Sequence, residues 1–330
     1  MAKKAFVTGG TGFIGLNVIA QLLARGWEVT AIHRPSSDLT YLRRFAANLL
    51  EGDIIDPGSL RKAMPVDLDA VFHLAGDTNY WSRRNAHQTA VQVDGVRNVV
   101  AAAAEKGARC LIHTSSVAAW GEVNGHIHED LPKEGNYSWI HYNKTKWMGE
   151  QEALKGMDLG MKVVILNPAT VIGPYDATSW GNAFISVKND AFPFALPGCA
   201  SFAHVSEVAK AHIEAVEKGQ NGHRYILGGE PGTTYADFFR EVSLILGKEK
   251  TLRPAPPWLL KTIGHAMVAV AAVTGKEPLI TPEFATVTSR RNRSYSSDKA
   301  VRELGYRILP LKQCIADCHQ WLVAEGFIAT

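Results

Sequence analysis

The stretch TGGTGFIG, residues 8–15, decides the fold of this chain. It follows a short apolar run and precedes an amphipathic pattern, so it is predicted to join a first strand to a first helix. Gly9, Gly12 and Gly15 are three apart. A sharp turn, the close approach of a backbone to a pyrophosphate, and tight packing of a helix on a strand each need a residue without Cβ. The N–H groups and positive dipole end of the helix would hold the phosphates, so the stretch predicts dinucleotide binding.

Apolar runs alternate with longer helical patterns through the first half of the chain. The predicted strands cover residues 4–8, 28–33, 48–52, 70–75, 109–115 and 162–167, and the clearest helices cover 13–25, 86–106 and 138–156. This alternation is typical of βαβ units, and near-continuous apolar runs are typical of strands covered on both faces. The predicted fold class is therefore α/β, a Rossmann-type doubly wound parallel sheet.

The composition changes after Pro174, where Gly and Pro recur and helical patterns follow one another without strong strands between them. These later helices are predicted at residues 234–246, 256–273, 296–304 and 310–325. An apolar run from His223 is expected to return to the sheet after a helix at 206–218. We therefore expect a dinucleotide-binding domain at 1–170 that regains 201–228. A smaller, mostly helical C-terminal substrate lobe would comprise 171–200 and 229–330.

Composition and charge describe an ordinary soluble globular protein. The 330 residues are 46% hydrophobic and 20% charged, and a net charge of +3 with no basic run among aromatics argues against nucleic acid as a partner. The four cysteines form no C-x-x-C pair, no metal-ligand spacing is evident, and free thiols suit a reducing compartment. We expect a cytoplasmic protein, a monomer or homodimer, without a bound metal.

The most membrane-like stretch is IGHAMVAVAAV, residues 263–273. It is shorter than the roughly 20 residues needed to span a bilayer and it contains His265. A buried or partner-packed helix is the expectation and peripheral membrane contact is the alternative, with no stable membrane insertion. The N-terminus also lacks the longer apolar region of a secretory signal.

The end of the second predicted strand, AIHRPSSD (residues 31–38), indicates which dinucleotide is bound. An NAD site usually has Asp or Glu there, which accepts hydrogen bonds from the adenine ribose 2′-hydroxyl. Here His33 and Arg34 take that place, with Ser36 and Ser37 behind them, and this set suits a 2′-phosphate. NADP(H) is therefore favoured over NAD(H), with a solvated loop arginine as the alternative reading of Arg34.

The stretch HYNKTK, residues 141–146, places Tyr142 and Lys146 four apart, so a phenol and an ammonium share one helix face. A neighbouring fixed cation favours the ionised phenol, and a phenol tuned in this way could donate or accept a proton. The alternative is an amphipathic helix whose Tyr packs and whose Lys is solvated. Strand five ends in HTSS, and parallel-sheet enzymes work at the carboxyl ends of their strands. That context favours the catalytic reading.

Taken together, these motifs resemble an extended short-chain dehydrogenase/reductase of the NAD-dependent epimerase/dehydratase superfamily, over nearly the whole chain. The matching stretches are TGGTGFIG, GDIID (52–56), HLAG (73–76), HTSSVAAWG (113–121), HYNKTK and NPATVIGP (167–174). Arg34 and the stretches FAHVSEVA (202–209) and YSSDKAVRELGY (295–306) look most like the branch of dihydroflavonol 4-reductases and 3β-hydroxysteroid dehydrogenases.

The resemblance implies roles for individual residues. Ser116, Tyr142 and Lys146 match the family's catalytic set, with Ser115 as the candidate if the register slips by one. An Asp at the position of Asp53 meets the adenine amino group. The residues expected to bind the cofactor are Gly9, Thr11, Gly12, Phe13, Ile14, Gly15, His33, Arg34, Ser37, Asp53, Ile54, Leu74, Ala75, Gly76, Thr114, Tyr142, Lys146, Pro168 and Val171.

Two positions depart from the family pattern. Gln92 stands where the family often has Asn. Val117 follows Ser116 where sugar-nucleotide dehydratases carry acidic residues, which argues against dehydration.

The loop DTNYWSRR, residues 77–84, follows strand four and should overhang the substrate. The residues proposed for a substrate pocket are Asn79, Tyr80, Trp81 and Trp180, with Phe184 and Phe192 nearby. Such aromatics suggest an apolar or aromatic substrate, and the alternative is that they form an interlobe core.

The resulting hypothesis is an NADPH-dependent reductase that transfers hydride to a ketone or aldehyde. Tyr142 would be the general acid, Lys146 would lower its pKa and hold the ribose, and Ser116 would polarise the carbonyl. The first alternative is a nucleotide-sugar epimerase with tightly bound NAD. It is disfavoured because strand two lacks the acid and no basic cluster for a substrate diphosphate is evident in the second lobe. The second alternative is a non-catalytic NADP-sensing protein, which would not need all three residues.

Overall fold

Seven parallel strands form the central sheet in the computed structural model, which describes residues 2–191, 193–248 and 251–328. Together with two short ladders outside this sheet, the described residues form the strands β1 Lys4–Thr8, β2 Glu28–His33, β3 Asn48–Glu51, β4 Ala70–His73, β5 Cys110–Thr114, β6 Gly125–Ile127, β7 Lys162–Pro168, β8 Thr170–Ile172, β9 Phe202–His204, β10 Arg224–Leu227 and β11 Arg293–Tyr295. The helices are α1 Phe13–Ala24, α2 Pro57–Ala63, α3 Asn85–Thr89, α4 Gly95–Glu105, α5 His141–Leu154, α6 Asn182–Lys188, α7 Val205–Lys218, α8 Tyr235–Ile245, α9 Pro257–Thr274, α10 Pro282–Thr288, α11 Asp298–Leu304 and α12 Leu311–Ala324. A π-helical turn, Ala90–Asp94, joins α3 to α4.

The order of the sheet is β3-β2-β1-β4-β5-β7-β10, which confirms the predicted doubly wound fold. The chain moves outward from β1 to β3 and then returns to place β4 on the other side of β1. Thr8, the last residue of β1, pairs with His73, the last residue of β4. The order of the strands therefore reverses between β1 and β4, and ligands of such sheets bind at the carboxyl ends of the strands at this point.

Both faces of the sheet are covered, because neighbouring strand residues pack into opposite cores. Val7, Phe72 and Ile112 pack on the side of α1 and α7. Phe6, Val71 and Leu111, each adjacent to one of these, pack on the side of α2 and α4. This explains why the strands read as continuous apolar runs rather than as alternating patterns.

The C-terminal part has its own aromatic core among α6, α8, α12 and β9. The rings of Phe202 and Phe238 stack with centroids 4.5 Å apart. Two parallel two-stranded ladders, β6 with β11 and β8 with β9, were not predicted. Each contains three-residue strands that join distant parts of the chain, and β11 lies between two of the late helices, where no strand was expected. Runs of three residues are too short to carry a readable period.

The apolar stretch at residues 263–273 lies in α9, and the expectation of a helix buried within the chain is wrong. Only Leu260, Gly264 and Ala271 of this helix are buried. Within the described part of the chain, α9 is the one helix long and apolar enough to cross a membrane by length and composition, and 17% of it is buried.

The glycine turn yields a prediction about stability. A Cβ on Gly15 would lie 2.2 Å from the carbonyl oxygen of Gly9, whereas a Cβ on Gly12 would meet the same oxygen at an ordinary 3.4 Å. Because the backbone cannot yield cheaply, Gly15→Ala should lower the free energy of unfolding by about 1–3 kcal/mol or more. Gly12→Ala, the matched control, should change it by less than about 1 kcal/mol. Urea unfolding of both variants is the measurement, and equal losses would contradict the packing argument.

Candidate active site

Helix α1 begins at the switch point because two glycines allow a close approach. Gly9 has a φ of +72°, and a Cβ there would lie 2.5 Å from the backbone nitrogen of Ala75, just after β4. Gly15 approaches the same turn from the helix side. The start of α1 is thereby held against the ends of β1 and β4, next to the predicted Leu74-Ala75-Gly76 segment.

Gly12 has a different reason to be glycine. It is exposed, and its nearest neighbour beyond the adjacent residues is at van der Waals distance, so packing within the protein would tolerate a side chain there. It is the N-cap of α1, no side chain caps the helix, and the first turn holds no acid. The N–H groups at the start of α1 are therefore uncapped and next to open space, part of which a Cβ on Gly12 would fill. That space fits the pyrophosphate of a dinucleotide, with Thr11, Phe13 and Ile14 beside it.

The end of β2 presents an exposed cation. The backbone N–H of Arg34 donates to Ser37 Oγ at 3.2 Å, and that of Ser37 donates to the Arg34 carbonyl at 3.0 Å, so a tight turn holds the two residues together. His33 Nδ1 lies 3.1 Å from the same carbonyl oxygen. The Arg34 guanidinium has no hydrogen bond or ion pair with the residues described, and this fits a role as a ligand for an external anion.

The predicted adenine-binding residues lie beyond β3. The Asp53 carboxylate accepts a hydrogen bond from the N–H of Ile55 at 3.1 Å, and Ser59 Oγ accepts one from the N–H of Asp53 at 3.0 Å. The carbonyl of Ile54 accepts from Asn98 Nδ2 at 2.9 Å. These contacts fix Asp53 and Ile54 in a turn at the carboxyl edge of the sheet.

The three predicted catalytic residues meet at the end of β5. Tyr142 and Lys146 lie one turn apart on α5, with 8% and 7% of their surfaces exposed. The Ser116 hydroxyl, two residues after β5, is close enough to the Tyr142 phenol to lower the phenol pKa. Lys146 Nζ lies 3.4 Å from the Thr114 carbonyl oxygen and 3.4 Å from where a Cβ of Gly76 would stand. The Lys146 ammonium therefore lies between the ends of β5 and β4.

Burial sets the protonation of this group. It raises the pKa of Tyr142 to about 12, against the lowering effect of the Ser116 hydrogen bond. It lowers the pKa of Lys146 to about 8, against the raising effects of Glu150 and Asp77. The expected fall in the Tyr142 pKa is not produced by the protein groups alone, because the ammonium lies 6.0 Å from the ring centroid. The phenol therefore keeps its proton at neutral pH, and the ammonium is largely charged.

The two serines after β5 point to different partners, which decides the register. Ser115 Oγ donates to Glu150 Oε1 at 2.7 Å, and its side chain is buried. Ser116 is the one that contacts Tyr142. Successive residues of an extended segment point to opposite sides, so only one of the two hydroxyls can face the site. The geometry favours Ser116.

Sequence reasoning missed Glu150, a fully buried carboxylate beneath the site. It accepts hydrogen bonds from Lys133 Nζ, from Arg224 Nε at 2.8 Å and from Asn167 Nδ2 at 2.6 Å. Burial raises the pKa of Glu150, but Lys133 and Arg224 outweigh it, and the net shift is downward. The signal was available, because Glu150 is four residues after Lys146 and eight after Tyr142, on the same helix face.

Asn167 connects this carboxylate to the catalytic serine. Its Nδ2 donates to the Ser116 carbonyl at 2.9 Å as well as to Glu150. Glu150 thus holds the backbone on both sides of the serine pair, through Ser115 Oγ and through Asn167. It also contributes negative charge near Lys146.

The predicted substrate loop is tied down by Asp77 and Gln92. Asp77 Oδ2 lies 3.0 Å from His87 Nδ1 and 3.3 Å from Arg84 Nη2. The Gln92 amide donates to the Asp77 carbonyl at 2.8 Å and to Thr145 Oγ1 at 3.3 Å. The departure from Asn at position 92 therefore affects how the loop is anchored to α5.

Tyr80 brings this loop to the catalytic tyrosine. The two rings have centroids 5.2 Å apart, and Phe284 of α10 lies 6.0 Å from Tyr80 on another side. Asn79 Nδ2 donates to Glu277 Oε1 at 2.5 Å, and Arg83 lies over the Trp81 ring. A narrow cavity here is lined by Asn79, Tyr80, His141, Tyr142 and Glu283.

Trp180 lies elsewhere than the pocket hypothesis expects. It stacks on Tyr235 at 5.2 Å and meets Phe202 and Phe238 edge-on. Phe184 is fully buried in the same aromatic core. These contacts favour the alternative reading of both residues as core, while Phe192 lies outside the described residues.

A basic cluster that sequence analysis did not identify lies beside the catalytic loop. Arg290 Nη1 and Arg293 Nη1 donate to the Gly121 carbonyl at 3.1 and 2.9 Å, and Arg291 Nε donates to the Pro197 carbonyl. The expectation that no basic cluster for a substrate diphosphate is evident in the second lobe did not take these three arginines into account. These contacts brace the segment that follows Ser116.

No group of three or more His, Cys, Asp or Glu side chains is placed to hold a metal ion in residues 2–191, 193–248 and 251–328.

Several known proteins are similar to this chain in sequence and in fold. Residues 5–228 match the NAD dependent epimerase/dehydratase family. A protein of Synechocystis sp. named as a dihydroflavonol 4-reductase is 31% identical over 338 residues, covering 100% of this chain and 97% of that protein. A 3-beta-hydroxysteroid dehydrogenase of Mycolicibacterium neoaurum is 25% identical over 337 residues, covering 96% and 90%. The crystal structure of gox2253 has a TM-score of 0.81 at 31% identity, covering 98% of this chain and 99% of that one.

The buried network around Glu150 predicts that removing the charge of this one carboxylate lowers the free energy of unfolding strongly. Glu150→Gln keeps the side-chain volume but leaves Lys133 and Arg224 without their carboxylate. We expect the free energy of unfolding at pH 7 to fall by about 3 kcal/mol, the lower end for a broken buried pair, because Arg224 is partly exposed. Since the folded pKa of Glu150 is lowered from 4.5, its ionised form stabilises the fold above that pH. The difference between the two proteins should narrow as pH falls through the folded value.

The matched control for this prediction is Glu152→Gln on the same helix. The partners of Glu152, Arg97 and Lys155, are more than half exposed, so the loss should be about 1 kcal/mol or less. Urea unfolding at several pH values is the measurement. Similar losses for the two variants would show that the buried network carries no special stability.

Proposed function

This chain belongs to the NAD dependent epimerase/dehydratase family, and we propose that it is an NADPH-dependent reductase that converts a ketone or aldehyde to an alcohol. The predicted family and its branch of reductases and steroid dehydrogenases are confirmed by the relatives described above. The observation that carries the reaction is the convergence of Ser116, Tyr142 and Lys146 at the carboxyl end of β5, where Tyr142 and Lys146 are buried one helical turn apart and Lys146 Nζ lies 3.4 Å from the Thr114 carbonyl oxygen. The rest of the mechanism is built on these three side chains.

Ser116 and Tyr142 would act on the carbonyl oxygen of the substrate. When bound, the reduced cofactor supplies the hydride to the carbonyl carbon. The Ser116 hydroxyl donates a hydrogen bond to the oxygen where negative charge develops. The Tyr142 phenol then transfers its proton to that oxygen, which completes the alcohol and leaves a phenolate.

Lys146 would stabilise that phenolate and hold the nicotinamide ribose. The ammonium is buried one turn from Tyr142, and the Glu150 and Asp77 carboxylates raise its pKa against the effect of burial. The raised pKa of Tyr142 supports the reductive direction, because a phenol that keeps its proton is ready to donate. Oxidation would instead need the phenolate at the start.

The cofactor is proposed to lie from the open start of α1 to the end of β2. The N–H groups of the first turn of α1, which follow Gly12 and have no side-chain cap, would bind the pyrophosphate, and Asp53 would receive the adenine amino group. Arg34 and Ser37 would bind the 2′-phosphate, which an NAD-using relative would not need. The exposed and unpaired guanidinium of Arg34 supports this preference for NADPH, and NADH is the less favoured cofactor.

Tyr80 and Phe284 support an apolar or aromatic substrate, because the Tyr80 ring lies against Tyr142 and the Phe284 ring lies against Tyr80. Asn79 and Trp81 would border the same pocket. Trp180 would affect the pocket only indirectly, through its stacking on Tyr235.

Two alternatives remain. A nucleotide-sugar epimerase is favoured by the cluster of Arg290, Arg291 and Arg293, which could bind a diphosphate, and is disfavoured by the missing acid at the end of β2. A non-catalytic NADP-sensing protein would not need the Ser116–Tyr142 bond. Following NADPH absorbance with carbonyl compounds, nucleotide sugars and no substrate separates the reductase from the other two, since only the reductase turns over cofactor in net amounts.

We also propose that the chain is divided into a dinucleotide-binding domain and a substrate-binding lobe. Residues 1–170, with 201–228, would bind the dinucleotide, and 171–200 with 229–330 would bind the substrate. The protein is proposed to be cytoplasmic, a monomer or homodimer. Its four cysteines are free, which suits a reducing compartment.

Tyr142→Phe should lower the turnover number by about 10² or more while leaving the affinity for NADPH nearly unchanged, because the variant loses only the proton donor. The matched control is Tyr137→Phe, which alters a tyrosine that is 84% exposed and should not affect turnover. Steady-state rates and NADPH titration are the measurements. Near-normal turnover in the Tyr142 variant would remove it from the mechanism.

Arg34→Ala should raise the KM for NADPH roughly tenfold or more and leave that for NADH almost unchanged, since only NADPH has the 2′-phosphate. Because Arg34 is exposed, high salt should weaken the preference of the wild type for NADPH over NADH. Arg43→Ala, an exposed arginine nearby, is the control. Equal use of both cofactors by the unmodified protein would overturn the assignment and favour the NAD-dependent epimerase.

A further inference from the structure

Helix α9 and the loop after it expose four large apolar side chains. The exposed fractions are 67% for Trp258, 61% for Val270, 89% for Val273 and 86% for Leu279. Large apolar patches of this kind are rare on monomeric soluble proteins and mark interaction surfaces. We call these four residues the α9 patch.

The helix is attached to the protein along one narrow stripe. Leu260, Gly264 and Ala271 are its buried residues, and they recur at helical spacing on one side. A Cβ on Gly264 would lie 2.8 Å from the backbone of Thr281, at the start of α10, so the two helices touch there. The opposite side, which carries the α9 patch, has no covering element in the described part of the chain.

The charged side chains of residues 251–276 are all positive, and one carboxylate, Glu277, follows them between Val273 and Leu279. Arg253, Lys261 and Lys276 are exposed before, within and after the helix. The sequence from 251 to 276 contains no Asp or Glu, and Glu277 is paired with Asn79. An apolar face with Trp at one end and cations around it has the composition of a helix that lies in the interface of an anionic membrane.

We propose that the α9 patch lies on the surface of an anionic phospholipid bilayer, with the helix parallel to the membrane plane. A second copy of the chain is a poorer occupant, because symmetric pairing of α9 with itself brings the same cations onto both sides. A helix that spans the bilayer does not fit, because the buried residues Leu260, Gly264 and Ala271 attach α9 to the rest of the protein, with Gly264 against the start of α10.

The α9 patch borders the substrate loop. Arg83 Nη2 donates to the Ala272 carbonyl at 3.1 Å, Asn79 contacts Glu277, and Tyr80 packs on Phe284 of α10. Membrane docking would therefore place the mouth of the pocket beside the lipid. If the proposed reductase function holds, an apolar carbonyl compound dissolved in the bilayer could enter without crossing water, and only this last step rests on that function.

Co-sedimentation of the full-length protein with vesicles tests the docking without any need for turnover. One set of vesicles is phosphatidylcholine and the other contains one part in three of phosphatidylglycerol. We expect binding to the anionic vesicles, weakened by salt and weaker still without phosphatidylglycerol. The double variant Val270→Glu/Val273→Glu should bind roughly tenfold less, since it places two carboxylates in the apolar face.

The matched control is Val66→Glu, which alters an exposed valine (57%) far along the chain from α9 and should bind as the wild type does. A second variant, Lys261→Ala/Lys276→Ala, keeps the apolar face intact and should lose roughly fivefold per charge. It decides the question if the glutamate variant fails to fold.

Three results would overturn the proposal. The wild type might stay in the supernatant with both vesicle types. The glutamate variant, folded by circular dichroism, might bind as well as the wild type. Sedimentation velocity might reveal a dimer that the glutamate variant dissociates, which would assign the α9 patch to a second copy. Failure of the reductase assay would not affect any of these readouts, so the two proposals fail separately.

Discussion

Helix α1 touches the ends of β1 and β4 at a distance that only glycine allows, and the position of the whole site follows from this contact. A methyl group on Gly15 would clash with the carbonyl oxygen of Gly9, and one on Gly9 would clash with the backbone at Ala75. With both absent, the uncapped start of the helix lies where the strand order reverses. The same edge of the sheet carries the ends of β4 and β5, so Gly76, Lys146 and Ser116 lie at the edge where the glycine turn begins α1. One steric constraint therefore aligns cofactor and chemistry.

Electrostatics beneath the site explains how a buried lysine keeps its charge. Burial disfavours the ammonium of Lys146 and the ionised phenol of Tyr142 alike, so it moves their pKa values in opposite directions, to about 8 and about 12. Glu150 opposes this effect for the lysine, and it stays ionised because Lys133 and Arg224 hold its pKa down. Isolated buried charges are costly, but a carboxylate with two cations and two neutral donors is compensated. The network also holds Ser115 and Asn167, and through them the backbone of the catalytic serine.

Much of the first lobe was predictable from sequence because its signals are local. Each strand of the sheet is an apolar run, and the glycine turn reports its own geometry. The residues alone did not decide between Ser115 and Ser116, since the choice depends on which hydroxyl faces Tyr142 and which faces Glu150. The ladder of β6 with β11 joins Gly125 to Arg293 and leaves no local trace. Trp180 shows a further limit, because an aromatic residue near a predicted pocket reads the same in sequence whether it lines the pocket or packs on Tyr235.

The substrate side of the site belongs to neither lobe alone. Tyr80 is carried by the loop after β4, which Gln92 anchors to α5, and it packs against Phe284 of α10 in the C-terminal part. Arg290 and Arg293 reach from that part to the Gly121 carbonyl, close after Ser116. The shape of the pocket is thus set by contacts between segments 150 or more residues apart in sequence, whereas the proton donor is set within one helix. Because of this separation, the spacing of Tyr142 and Lys146 on α5 does not depend on the segments of the C-terminal part that border the pocket.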